Sequence, residues 1–243
     1  MNDVPEYSIV LPAKDEAENL TDVISEIAGV MPAGTYEVIV IDDGSSDATG
    51  EIVCGLMRDR PWLRLVGHDK SCGKSAAILT GVQHARARLI ATLDADGQND
   101  PRYLAPLLAL VADPAVGVAA GQRVKHAHSP MKQWGSKLAN GLRSSLLGDH
   151  TRDTACGLKA FPRDVFLRLP YFDTMHRFLP ALVMREGLEV RHLDVLDRPR
   201  RHGVSKYGVI DRALVGIPDL LGVWWLFRRR RRLPRSQEMS DRP

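Results

Sequence analysis

The chain has 243 residues, 44% hydrophobic and 26% charged, a balance ordinary for one soluble globular domain, with length to spare for an appendage. Its cysteines, Cys54, Cys72 and Cys156, are an odd set without CxxC spacing, which argues against a disulfide framework and structural zinc and fits a reducing compartment. The net charge of +3 hides an asymmetry: Arg198–Arg235 carries +9, leaving −6 on the rest, so the basic end points to an anionic partner such as membrane, nucleic acid or phosphate.

The start, MNDVPEYSIV, lacks the basic and apolar segments of a signal peptide. Tyr7–Leu11 reads as a buried strand ended by Pro12. A helix from Asp15 to about Gly29 places Leu20, Val23, Ile24 and Ile27 on one face. Val38–Ile41 is a second strand, ending in Asp42-Asp43-Gly44-Ser45-Ser46-Asp47. Ser46 or Asp47 can cap the next helix, which carries Ile52, Val53 and Leu56. Trp62–Val66 is a third strand, followed by the loop His68–Ser75 and a helix over Ala76–Ala85. Leu89–Leu93 is a fourth strand, Tyr103–Val111 a helix and Val116–Ala120 a fifth strand. This β-α alternation with short connections predicts an α/β fold with a parallel, right-handed, doubly wound sheet.

The fourth strand stops at Asp94-Ala95-Asp96-Gly97-Gln98. Ligands of open α/β sheets bind outside the carboxyl ends of the strands. Asp94 and Asp96 alternate by two, so in extended geometry they share a side, and Gln98 adds a neutral oxygen. Such a hard set suits Mg²⁺ or Mn²⁺ holding a phosphorylated substrate. The same acids could instead form a loop capping a helix that starts near Pro101. No G-x-G-x-x-G and no complete P-loop is present, so a dinucleotide dehydrogenase and a P-loop ATPase are set aside.

Pro12-Ala13-Lys14-Asp15-Glu16-Ala17-Glu18-Asn19-Leu20, Ile41–Asp47, Gly73-Lys74 and Asp94–Gln98 together resemble the GT-A glycosyltransferases of family 2. Gly121-Gln122-Arg123, Asp153–Phe161 (DTACGLKAF) and Arg200–Tyr207 (RRHGVSKY) resemble the polyprenyl (dolichyl or undecaprenyl) phosphate sugar synthase branch. The resemblance runs from Tyr7 to Trp225 and implies a GT-A fold. It implies that Asp42 and Asp43 meet the base and ribose of a nucleotide-sugar donor, although a turn with a helix cap would use the same residues. Pro12, Ala13 and Glu16 would wall the base, with Glu16 alternatively serving the dipole of its helix. Gly73 and Lys74 fall in the donor site, and Asp153, Gly157 and Lys159 would line the sugar pocket. Asp153 alternatively reads as an N-cap. Asp94, Asp96 and Gln98 would hold the metal, with Asp96 also counted among the catalytic groups.

A lipid phosphate needs no general base, because its second pKa of ~6 leaves it anionic at neutral pH. It needs cations, and arginine grips phosphate oxygens in pairs. Arg123, Arg200, Ser205 and Lys206 are the candidates, with Lys132 weaker; His202 receives no role, and Cys72 and Cys156 are read as bystanders. The implied reaction is an inverting in-line displacement without a covalent enzyme intermediate. Transfer to a saccharide hydroxyl stays open, with Asp153 as its base, and so does an inactive nucleotide-sugar-binding module. Guanine or uracil as the base, the identity of the sugar and homo-oligomerisation are also open.

Asp173–Gly187 reads as a helix that Pro180 kinks or breaks, and Val190–Leu196 as a late strand that could run antiparallel. Leu214–Phe227 is apolar but 14 residues long and carries Pro218 and Asp219, short of the ~20 a bilayer-spanning helix needs. Trp224, Trp225 and Phe227 beside Arg228–Arg232 suit a helix lying on an anionic leaflet. A packed helix with a solvated basic tail is the alternative. The expectation is a catalytic domain over 1–208, an interfacial helix over 209–232 and a disordered tail over 233–243. The enzyme would sit peripherally on the cytoplasmic, inner face of a membrane. Nucleic acid is set aside because the basic run lacks interleaved aromatics.

Overall fold

The computed structural model describes residues 4–124, 143, 146–149, 151–199 and 209–229, with backbone alone for 209–215. Seven strands form one sheet: β1 (Tyr7–Ala13), β2 (Tyr36–Asp42), β3 (Leu63–Gly67), β4 (Leu89–Thr92), β5 (Val116–Arg123), β6 (Lys159–Pro162) and β7 (Glu189–Val195). Their order is β3-β2-β1-β4-β6-β5-β7. The helices are α1 (Ala17–Val30), α2 (Thr49–Met57), α3 (Lys74–His84), α4 (Leu104–Leu110), α5 (Arg163–Arg168), α6 (Met175–Arg185) and α7 (Val209–Arg228).

The strand pleat explains the two-sided core. Ile9, Leu11, Val38 and Val40 face one layer with Leu20, Ile24 and Ile27 of α1 and Leu104 and Leu107. Val10, Ile39 and Ile41 alternate to the other face, against Ile78 and Val82 of α3, Phe178 and Leu182 of α6 and Val223 of α7. Burial on both faces is why these strands read as continuous apolar runs.

Several expectations are corrected. The first strand does not end at Pro12: it continues to Ala13, paired with Asp42. The β1–β4 ladder has already stopped at Val10↔Thr92, so the missing N–H of Pro12 removes no rung on that side. Helix α1 starts at Ala17, because Asp15 adopts φ 52° and turns its carboxylate to Ser46 instead. Neither Ser46 nor Asp47 is the N-cap of α2, although Asp47 accepts the Thr49 N–H at 2.9 Å. Pro180 lies inside an unbroken α6.

The sheet is not wholly parallel. β6, a four-residue strand read in the sequence only as a motif, inserts antiparallel between β4 and β5. β7 runs parallel to β5, not antiparallel. The acidic loop after β4 also divides its labours. Asp100 caps the 3-10 turn Pro101–Tyr103 by accepting the Arg102 N–H, whereas Asp94 accepts from Lys74 Nζ and Asp96 from the Gln98 N–H.

Candidate active site

The loops after β1, β2, β3 and β4 leave the sheet at one edge and are stitched together. Lys14 Nζ donates to Gly44 O at 2.8 Å, and the Asp15 and Glu16 N–H groups donate to Ser45 Oγ and Thr49 Oγ1, both at 2.9 Å. Ala13 O takes the Asp43 N–H at 2.8 Å. The end of β1 at Ala13 is thereby tied to the loop that follows β2. The Glu16 carboxylate accepts Asn19 Nδ2 at 2.7 Å, a bond within the start of its own helix.

The adjacent acids Asp42 and Asp43 do different work. Asp43 is 4% exposed, and both its oxygens are committed. Oδ1 meets His68 Nδ1 and the Cys72 N–H, both at 2.8 Å; Oδ2 accepts from Ser71 Oγ at 2.8 Å and the Gly73 N–H at 2.9 Å. Burial alone would raise its pKa, but the four donors hold the carboxyl below the ordinary aspartate range. Asp43 thus anchors the 68–73 loop, which turns through Gly73 at φ +88° into α3. Asp42 is half-buried, and its Oδ1 accepts the Ser45 N–H at 2.9 Å. Asp43, His68 and Cys72 lie close enough to hold a metal, but His68 Nε2 also bonds Thr80 Oγ1 at 2.9 Å, so both ring nitrogens are in use.

Asp94 sits between Lys74 and Gly157. Lys74 Nζ donates to Asp94 Oδ1. A Cβ on Gly157 would lie 2.4 Å from the Asp94 carboxylate, so only glycine allows this approach. The Asp94 N–H donates to Asn99 Oδ1 at 3.2 Å. Asp96 is 8% exposed and accepts the Gln98 N–H at 3.1 Å. Asp96 and the Gln98 amide are hard oxygen donors at the strand's carboxyl end. They fit a Mg²⁺ or Mn²⁺ ion, which takes one or two carboxylates and completes its shell with substrate phosphate. Asp94 is matched to the Lys74 ammonium.

Behind Asp94 lies a small hollow lined by Lys74, Thr92, Gly157, Lys159 and His176 with an apolar floor. Lys159 is fully buried; burial lowers its pKa to about 8, and its Nζ donates to the carbonyls of Cys156 and Thr154. His176 Nδ1 lies 2.7 Å from Ser75 Oγ. Ser75 Oγ also accepts the His176 backbone N–H at 3.3 Å. Burial, then Lys74 and Lys159, hold His176 far below the ordinary histidine range, so it stays neutral. Burial raises the Cys156 thiol, consistent with a bystander.

On the other flank Arg123, at the end of β5, is clasped by Asp153: Nε to Oδ2 at 2.6 Å and Nη2 to Oδ1 at 3.1 Å. Asp153 caps no helix; the N–H groups of Ala155 and Arg123 complete its shell. Burial alone would raise its pKa, but Arg123 outweighs this and holds it low. Asp197, absent from the sequence reading, approaches Arg123 Nη1 at 3.4 Å; burial holds its carboxyl above the ordinary range. Arg200, Ser205, Lys206, Lys132 and His202 lie outside the described residues. The structure thus gathers Pro12, Ala13, Glu16, Asp42, Asp43, Gly73, Lys74, Asp94, Asp96, Gln98, Arg123, Asp153 and Lys159 at one sheet edge.

A sheet of this topology, with acidic loops at its carboxyl edge, belongs to the GT-A class of nucleotide-sugar folds. A glucosyl-3-phosphoglycerate synthase from Mycobacterium tuberculosis, solved with Mn²⁺ and UDP, matches with TM-score 0.68 at 17% identity over 92% of this chain and 80% of its own. The mannosyltransferase PcManGT from Pyrobaculum calidifontis, solved with GDP-Man and Mn²⁺, matches with TM-score 0.68 at 21% identity over 96% of this chain and 67% of its own.

The pattern of Glycosyl transferase family 2 matches residues 8–169, and the chain belongs to that family. It is 31% identical to a dodecaprenyl-phosphate galacturonate synthase of Rhizobium johnstonii, over 92% of this chain and 68% of that protein. It is also 31% identical to an undecaprenyl-phosphate 4-deoxy-4-formamido-L-arabinose transferase of Edwardsiella ictaluri, over 84% of this chain and 63% of that protein.

Proposed function

We propose that the chain transfers a sugar from a nucleoside-diphosphate donor to polyprenyl phosphate, with inversion at the anomeric carbon. The observation that carries this reading is the Arg123–Asp153 clasp. Asp153 was the one obvious carboxylate base for a hydroxyl acceptor, and here its lone pairs are directed at a guanidinium. What the flank offers an acceptor is a half-exposed, oriented cation, which suits an acceptor that arrives already anionic. Asp197 is the carboxyl with a raised pKa, but its approach to Arg123 also speaks against a base.

In this reading Pro12, Ala13 and Asp42 frame the nucleoside, and Asp43 fixes the neighbouring loop. Lys74 and Asp94, with Lys159 behind them, border the sugar. Asp96 and Gln98 would hold Mg²⁺ or Mn²⁺, whose charge stabilises the departing diphosphate. Arg200, Ser205 and Lys206 join the acceptor side by resemblance alone.

Membrane docking is part of the proposal. No helix among the described residues is long and apolar enough to cross a membrane. Helix α7 packs Leu220, Val223, Trp224 and Phe227 on the core and turns Ile217, Leu221 and Trp225 outward. Arg228 lies over the Trp224 ring at 4.1 Å and Arg229 over Trp225 at 5.7 Å. An outward apolar stripe ending in arginines suits an anionic inner leaflet on the cytoplasmic side.

The test is transfer from labelled GDP-mannose, UDP-glucose, UDP-galacturonate and UDP-4-deoxy-4-formamido-arabinose to undecaprenyl phosphate, with and without Mn²⁺. A metal-dependent, chloroform-extractable product from one donor, lost in Asp96→Ala and Arg123→Ala, is the expected result. A donor consumed only with a soluble saccharide acceptor overturns the lipid reading.

A further inference from the structure

Asp197 and Arg198 lie two and three residues past the end of β7 and belong to none of the motifs above. Asn99 and Asp197 nonetheless form an isolated antiparallel bridge between the metal loop and this segment. The Arg198 N–H donates to Gln98 O at 2.9 Å, and Gln98 Nε2 reaches back to Arg198 O at 3.5 Å. A carbonyl only accepts, so it is the amide nitrogen that faces Arg198, and Gln98 Oε1 is the end turned elsewhere.

The guanidinium of Arg198 closes the same joint from outside. It donates to Glu26 of α1 at 2.6 Å and pairs with Asp100 at 2.9 Å. Asp100 is a buried carboxylate whose other cation, Arg102, is largely exposed. Arg198 therefore fixes both ends of the three-residue stretch Gln98–Asp100 to the body of the fold. Asp197 adds a contact on the opposite flank, to Arg123 at 3.4 Å and to Asn99 Nδ2 at 3.4 Å.

We propose that Asp197 and Arg198 are positioning residues: Arg198 holds the metal loop so that Gln98 Oε1 is presented beside Asp96, and Asp197 aligns Arg123 with that loop. The inference rests on the functional reading above. A neutral amide is a weak ligand, so its contribution depends on being oriented before the ion arrives. Gly97, at φ +74° in the middle of the loop, leaves that orientation to be imposed from outside. Partners that orient ligands in this way typically change metal affinity by about 10–100-fold when removed.

The experiment measures Mn²⁺ binding to the full chain by calorimetry and by Mn²⁺ electron paramagnetic resonance, with UDP and with GDP. Arg198→Ala is expected to weaken Mn²⁺–nucleotide binding by at least about tenfold. Arg198→Lys, which can still meet one carboxylate, recovers part of the loss. Arg163→Ala removes a guanidinium bonded to the Val82 and Gln83 carbonyls, far from the loop, and controls for general destabilisation. Asp197→Asn is expected to leave Mn²⁺ affinity within about twofold and to shift KM for polyprenyl phosphate instead of kcat. Equal Mn²⁺ affinity in wild type and Arg198→Ala overturns the proposal, as does equal loss in Arg163→Ala. Unchanged KM in Asp197→Asn overturns the role of Asp197. A wild-type chain that binds Mn²⁺ with neither nucleotide removes the functional reading itself, a result distinct from all of these.

Discussion

Gly157→Ala is the sharpest test of the donor half of the site. The added methyl would lie 2.4 Å from Asp94 Cγ and Oδ1 and 2.5 Å from Oδ2. Non-bonded heavy atoms settle near ~3.5 Å, so something must move by about 1 Å. Gly157 is held in place, because its carbonyl accepts Thr92 Oγ1 at 2.6 Å. Asp94 is the part that gives, and its pairing with Lys74 goes with it. Overpacking of this kind costs about 1–3 kcal/mol, a loss of a few degrees in melting temperature for a chain of this size. Misplacement by about 1 Å at a reacting centre can cost on the order of 100-fold in rate. The assay compares kcat/KM with the accepted donor against the melting curve. A folded Gly157→Ala protein that retains kcat/KM within about threefold of wild type refutes the argument that Asp94 must stand where it does.

Three further outcomes are expected. The carboxyl of Asp100 is lowered to about 2 by Arg102 and Arg198 against the opposing effect of burial, so the stability it contributes is present above the unfolded value near ~4 and is lost as pH falls from there towards 2. Acid titration of the melting temperature should show this slope in wild type and a flatter one in Asp100→Asn. Lys159 gives a slope of the same sign for the opposite reason: burial disfavours its charged form, so its folded pKa of about 8 lies below the unfolded ~10.4, the penalty it imposes is relieved as pH rises between the two, and Lys159→Met should remove that rise in melting curves. Ile217→Ser combined with Trp225→Ser, both outward on α7, should leave the melting temperature unchanged; each lost apolar anchor is worth up to ~1.5–3 kcal/mol, so sedimentation with phosphatidylglycerol vesicles should fall by at least about tenfold.

The parts of this protein legible in its sequence are those whose cause is local. Apolar runs of strand length mark β1 to β5, the first followed by Pro12 and the others by acids or glycine, and α1 is visible because Leu20, Val23, Ile24 and Ile27 repeat at helical spacing. β6 escapes because four residues, Lys159–Pro162, carry no periodicity; only pairing with β4 and β5 makes them a strand. The direction of β7 escapes for a related reason. Strand alternation specifies faces but not direction, which here is set by the register against β5.

The site divides along the same line. Motifs name which side chains reach the cleft, but what each does there depends on partners remote in sequence. Asp42 and Asp43 are indistinguishable as adjacent acids. The loop at 68–73 commits both oxygens of Asp43 to the protein, whereas none of these bonds engages Asp42. Asp153 reads equally well as cap, base or sugar ligand until Arg123, thirty residues away, takes both its oxygens. Ser75 and His176 meet across 101 residues, and Arg198 meets Glu26 across 172. No spacing rule reaches that far. A carboxylate's role follows from which cation or N–H reaches it first in three dimensions, so a motif identifies the chemistry available, and the tertiary contacts decide which acid performs it.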